Sequence, residues 1–205
     1  MVFTETKFQK RIHELEAMDK SVNVKHLPRS KWPKELINNK ILLWQVPKDT
    51  AKLLYTLVRL HRPKRILELG TSGGYSTLWM SRAASEYGGT IDTIEFSEYR
   101  FSIAKTSFEE VGCENIIQHQ GKTADILSEW SKPVDMVFID HSKENYLDDY
   151  RRVESHLSDR AIVVADNMLD NPRKVMDFRE HMEESNEFEA YVINVDNGVL
   201  IATRK

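Results

Sequence analysis

Apolar residues recur at helical spacing in two early stretches. Phe8, Ile12, Leu15 and Met18 stand four and three apart, which predicts an amphipathic helix ended by residues 19–23. A second is predicted over 48–60. Between them the periodicity breaks around Pro28, Pro33 and Pro47, with Trp32 and Trp44 interspersed, so this segment reads as loop-rich with at most short helices. Whether the first helix packs on its own chain or on a second copy is open at this level.

From Lys64 the pattern changes to short β-type runs at 65–69, 90–95, 116–119, 134–139 and 161–165, with helical stretches between them. Strands joined by helical crossovers imply right-handed βαβ units and a parallel sheet covered on both faces, as the near-continuous apolar runs 134–139 and 161–165 require. Ser97 is placed as the N-cap and Gly112 as the C-terminal stop of the helix between the second and third strands. Two last β-type runs, 188–195 and 199–203, meet at Asp196-Asn197-Gly198, a hairpin signal. Parallel strands closed by an antiparallel hairpin are the order expected of class I methyltransferases; a dinucleotide dehydrogenase would continue with parallel units. The expected fold is therefore α/β and Rossmann-like: a mostly parallel seven-stranded sheet with a C-terminal antiparallel hairpin and helices on both faces. Residues 1–47 are expected to form the N-terminal helix and a loop-rich lid or contact segment, and 48–205 the main unit. Since 205 residues suit one domain at about 150 residues per domain, the whole is read as a single compact domain.

Composition narrows the function classes. With 40% hydrophobic and 30% charged residues the chain can enclose a core, and a net charge of -3 does not suggest nucleic-acid or membrane binding overall. Charge is uneven, however. From Lys20 to Lys40 there are six basic residues and one acid, Glu35, so this stretch carries +5 and the remainder -8. Cys113 is the only cysteine, which excludes an internal disulfide and a cysteine-based zinc cluster and fits a reducing, cytoplasmic address. Residues 1–10 lack an apolar leader, and no run approaches the roughly 20 apolar residues that span a bilayer.

The first strand of the βα series runs into Glu68-Leu69-Gly70-Thr71-Ser72-Gly73-Gly74-Tyr75-Ser76. A dinucleotide fingerprint needs glycine where Ser72 stands, so that reading fails. What remains lets the backbone turn closely beneath a ligand while placing the Glu68 carboxylate nearby, which suits an ammonium better than a pyrophosphate. Glu95 ends the second strand, where a carboxylate can accept from both hydroxyls of a ribose. A nucleoside bearing an amino-acid tail satisfies both, and S-adenosylmethionine is such a molecule.

The fourth strand ends in Asp140-His141-Ser142-Lys143 and the fifth in Ala165-Asp166-Asn167. Ligands of open α/β sheets bind at the carboxyl ends of the strands. Oxygen donors alone favour a hard cation, and Asp140, Asp166 and Asn167 would supply three of the six oxygens of Mg²⁺. No histidine joins an H-E-x-x-H pattern, so a zinc hydrolase is not indicated.

With these residues the chain resembles the metal-dependent catechol O-methyltransferase family, in Glu68-Leu69-Gly70 through Tyr75-Ser76, Ile94-Glu95, Asp140-His141-x-Lys143 with Tyr146, and Ala165-Asp166-Asn167. The resemblance runs from about Trp44 to the end. It implies that Asp140, Asp166 and Asn167 hold the metal and Lys143 is the general base. It further implies that Glu68, Gly70, Ser72, Gly74, Ser76, Glu95, Thr123 and Asp140 surround the cofactor, with Glu95 at the ribose, Gly70 and Ser76 at the methionine end and Thr123 near the adenine. Trp44 and Pro172 fall near the family's substrate walls. In the mechanism so implied, a vicinal diol chelates Mg²⁺, Lys143 removes a proton, and the oxyanion attacks the sulfonium methyl in line.

Two departures stand out. Ser142 occupies a position that is aromatic in mammalian-type catechol enzymes, and their acid on the strand before the final turn matches Tyr191, with no carboxylate until Asp196. Both point to an acceptor other than a simple catechol. The expected acceptor is a small phenolic or diol molecule. The basic stretch with Trp32 keeps two further readings open: a solvated lid or homodimer contact, or tRNA recognition for wobble hydroxyuridine methylation. A protein that binds the cofactor without catalysis is the third alternative.

Overall fold

The computed structural model describes residues 3–19, 43–170 and 172–205. The basic stretch, Trp32 and the readings attached to them lie outside these residues.

Strands β1 (Arg65–Leu69), β2 (Thr90–Glu95), β3 (Ile116–Gln120), β4 (Val134–Ile139), β5 (Leu157–Ala165), β6 (Phe188–Ile193) and β7 (Val199–Arg204) form one sheet in the order β3-β2-β1-β4-β5-β7-β6. The first five are parallel; β7 runs antiparallel to both β5 and β6. The chain winds outward from β1 through β2 to β3 and then returns to lay β4 on the other side of β1. The crevice of the sheet therefore opens between the carboxyl ends of β1 and β4, where strand order reverses.

Alternation within each strand divides the core. Ile66, Ile91, Phe138 and Val164 face one layer with α1 (Glu5–Met18), α2 (Lys48–His61), α3 (Tyr75–Ala84) and α4 (Glu98–Val111). Leu67, Ile94, Ile139 and Val163 face the other, with α5 (Thr123–Ser128), α6 (Tyr146–Val153) and α7 (Met176–Glu183). Burial on both faces is why the central strands read as continuous apolar runs.

Helix α1 packs on its own chain. Phe8, Ile12 and Leu15 are fully buried in the first layer, and Phe8 meets the Trp79 ring edge-on at 5.1 Å. Arg11 reaches Ser107 at 3.0 Å and Glu110 at 3.2 Å on α4. Helix α2 runs one residue beyond its expected end, to His61, and stops where Arg62 turns left-handed and donates to Val58 O before Pro63. Ser97 caps α4 by accepting from the Arg100 amide, and Gly112 ends it in the left-handed region, as expected.

Strand boundaries differ where polarity hides them. β5 begins four residues early because Leu157–Ala165 includes the partly exposed Ser158, Asp159 and Arg160, which carry no apolar signal. β6 stops at Ile193 because the turn opens earlier than its Asp-Asn-Gly signal, with the Gly198 amide donating to Val195 O at 2.8 Å.

Candidate active site

Backbone pairing continues one residue past several strand ends and lines up the site. Gly70 N donates to Ile94 O at 3.0 Å, Asp140 N to Leu69 O at 2.9 Å and Asp166 N to Ile139 O at 3.1 Å. Gly70, Asp140 and Asp166 thus sit side by side above β1, β4 and β5. They border a cavity of about 1010 Å³ that is also lined by Trp44, Ser72, Glu95, Thr123, Lys143 and Asn167.

Gly70 adopts φ 108°, and a Cβ there would lie 2.1 Å from Asp140 O, so only glycine lets the two loops approach this closely. The loop then turns through Ser72, at φ 50°, which aims the Ser72 amide at Glu95 Oε2, 2.8 Å away. Glu95 Oε1 accepts from Ser97 N, also at 2.8 Å, and Arg100 stands 3.8 Å off. Each Glu95 oxygen keeps a lone pair for the cavity, so the carboxylate is oriented by the backbone yet able to accept from a ligand. The Ser72 hydroxyl is buried without a hydrogen-bond partner among the described residues.

Four expected contacts are not arranged as the motif suggested. Glu68 is fully buried and does not line the cavity; its carboxylate accepts from Ser76 Oγ at 2.6 Å, Thr77 Oγ1 at 2.5 Å and Thr93 Oγ1 at 2.6 Å. It binds β1, β2 and α3 together from beneath the loop, and burial pushes it up to about 7. Gly74 also faces away: a Cβ would come within 2.6 Å of the Phe108 ring, so this glycine serves the packing of α3 on α4. Ser76 borders only a small cleft beside the cavity, and its hydroxyl donates a hydrogen bond to Glu68 Oε1. Pro172 is exposed and outside the lining, whereas Trp44 is within it.

Tyr191 is exposed on β6, also outside the lining, and Asp196 is turned aside to cap α2 through Thr50 N and Oγ1, both at 2.9 Å. Asn197, from the same turn, does line the cavity.

At the other end Asp166 and Asn167 are both buried, and Asn167 takes φ 68°, a left-handed conformation that asparagine tolerates well. Burial first, then the charges of Asp140 and Asp166, hold the buried Tyr146 phenol well above its ordinary range, so both carboxylates act on one ring. Among the described residues no three His, Cys, Asp or Glu side chains gather as a metal cluster. The set here is two carboxylates and an amide, all oxygen donors, which fits a hard divalent cation that keeps several waters. His141 lines the same wall; burial and then the neighbouring Lys143 charge lower it to about 4, so it is neutral at physiological pH. Its Nε2 stands 3.4 Å from Asp149 Oδ2, and Asp149 Oδ1 accepts from Arg152 at 3.2 Å.

Gln45, Asp149 and Arg152 line the cavity without any motif to announce them. Asp149 was legible only as an acid on the apolar face of a helix; Gln45 gave no signal.

A family model described as O-methyltransferase matches residues 17–205. The catechol O-methyltransferase of Niastella koreensis is 35% identical over 137 residues, 64% of this chain and 61% of that protein. That of Mycobacterium tuberculosis is 32% identical over 127 residues, 60% and 57% respectively. The matches thus span about three-fifths of these relatives' length. Among solved structures, the O-methyltransferase of Bacillus cereus in complex with SAH superposes with a TM-score of 0.73 at 25% identity, covering 95% of this chain and all (100%) of the other. TomG of Streptomyces achromogenes, an O-methyltransferase of tomaymycin synthesis solved with SAM, gives 0.72 at 28% identity, covering 94% and 99%. A seven-stranded sheet with its hairpin, a ligand-sized crevice at the strand reversal and a match from residue 17 to the last residue agree: the chain belongs to the O-methyltransferase family.

Proposed function

We propose that this chain transfers a methyl group from S-adenosylmethionine to one hydroxyl of a small vicinal diol, catechol-like or caffeoyl-like, with the help of Mg²⁺ or another hard divalent cation. One observation carries the reading: Asp140 adjoins the Gly70 loop on one side and the Asp166 strand end on the other, so a cofactor cradle and an oxygen-donor set share one residue. The cradle suits the cofactor because Gly70 leaves room beside it, and because Glu95 lines the cavity with hydrogen-bonding capacity to spare.

In this reading Glu95 accepts from the ribose hydroxyls, Gly70 and Ser72 border the amino-acid end, and Thr123 flanks the base. Asp140, Asp166 and Asn167 would hold the cation, which when bound supplies Lewis acidity that favours ionisation of the acceptor hydroxyl. Lys143 accepts that proton at Nζ. The oxygen's electron pair then forms the new bond to carbon as the carbon–sulfur bond breaks, and opposite charges cancel. Trp44 walls the acceptor end and limits water, which favours a charge-cancelling step.

The test is methyl transfer from labelled S-adenosylmethionine to catechol, a caffeoyl-type phenol and undermodified tRNA, each with Mg²⁺ or EDTA. Label in a diol only with Mg²⁺ supports the proposal. Label in tRNA alone, or transfer to a diol unaffected by EDTA, overturns it. Among the described residues no helix is long and apolar enough to cross a membrane.

A further inference from the structure

Gly70 and Ser72 line the cavity, whereas Gly73 of the same loop faces away from it: a Cβ there would come within 3.0 Å of Leu43 Cδ1 and 3.4 Å of Leu15 Cδ2. No backbone amide among the described residues donates to the Gly73 carbonyl. The donor that reaches it is the Ser107 hydroxyl of α4, at 3.2 Å. Ser107 is fully buried, and its one proton is shared between Gly73 O and Ile103 O, the latter 2.8 Å away in its own helix. Arg11 of α1 completes the arrangement by donating from Nε to Ser107 Oγ at 3.0 Å. The guanidinium is itself braced by Glu14 at 2.9 Å and Glu110 at 3.2 Å, and 11% of the side chain is exposed. A charged donor on the oxygen fixes its place and polarises the O–H, which strengthens the bond that the hydroxyl passes on.

A relay thus runs from α1 through α4 to the back of the loop. Resting on the cofactor reading above, we propose that Arg11 is a positioning residue: through Ser107 it holds the 70–74 loop in its binding conformation, although no residue of α1 lines the cavity. The same helix grips the chain just past the loop, where Tyr75 Oη donates to Glu16 Oε1 at 2.8 Å. By linkage, a ligand that needs the loop in place must also stabilise the docking of α1. Arg11 precedes residue 17, where the family match begins, so the relay starts outside the matched residues.

The experiment is calorimetric binding of S-adenosylhomocysteine to the wild-type chain, Arg11→Met, Ser107→Ala and the double variant. Glu5→Gln is the control, because it removes only the 3.0 Å ion pair to Arg82 at the other end of α1. Each relay variant should weaken binding by at least about threefold, the double variant no further, and Glu5→Gln not at all. Unchanged affinity in Arg11→Met overturns the proposal. So do losses that add in the double variant, or an equal loss in Glu5→Gln, since these are the marks of a helix loosened as a whole. Thermal melting checks that the variants fold. If one does not, hydrogen exchange in the wild type decides: saturating S-adenosylhomocysteine must slow the amides of residues 11–15, and unchanged exchange there overturns the proposal. Should the wild type not bind S-adenosylhomocysteine, the cofactor reading falls and takes this one with it; binding by the wild type together with any overturning result above fells this one alone.

Discussion

The Ser72 amide donates to Glu95 Oε2 at 2.8 Å, tying the turn after β1 to the acid at the end of β2. The bond couples two walls of the cavity: in the proposed function, a ligand held by the Glu95 carboxylate also feels the conformation of the 70–74 loop. Replacing Glu95 by alanine removes the ligand's acceptor and leaves the amides of Ser72 and Ser97 without their partner. Binding of S-adenosylhomocysteine should weaken by at least about tenfold, since hydrogen bonds to a charged group contribute about 1.5–3 kcal/mol. Isothermal titration measures it, and unchanged affinity would remove Glu95 from the site.

Gly70→Ala should fail in both stability and binding. The new Cβ would meet Asp140 O at 2.1 Å, and φ 108° is strained for any side chain. A loss of roughly 3 kcal/mol in denaturant unfolding is expected, in line with backbone strain plus overpacking. A variant that melts with the wild type would show that the loops can separate.

Glu68 makes stability depend on pH. Its ordinary value is 4.5 and burial raises it to about 7, so between these values the folded chain keeps a proton that the unfolded chain releases. Stability from this group is complete below about pH 4.5 and declines as pH rises through 7, by about 3 kcal/mol in all. Glu68→Gln should flatten that decline. Guanidinium unfolding of both proteins at pH 5 and pH 8 tests it; parallel losses in the two would refute the assignment.

Activity should vanish with EDTA and return with Mg²⁺, while Asp166→Ala should be inactive with or without added metal. Lys143→Met should lower kcat by about 10²-fold or more, the usual share of a general base, with little effect on cofactor affinity. An active Asp166→Ala enzyme indifferent to chelator would sink the metal reading.

The sequence by itself determined the fold class, the run of parallel strands closed by a hairpin and the strand-tip acids, because hydrophobic period and turn residues are local signals. Residues 65–69, 90–95 and 134–139 were legible to the residue as buried strands, and Asp140, Asp166 and Glu95 as their carboxyl ends. Only the tertiary structure decided which residues of the glycine loop line the cavity. Glu68 and Gly74 belong to the same motif as Gly70 and Ser72 yet turn inward, since spacing along a tight turn does not say where Thr93 or Phe108 will press against it. Gln45 was silent for the same reason. Its partners Leu15 and Asp19 lie 30 and 26 residues away, and a contact across that distance exists only once α1 has docked on the sheet.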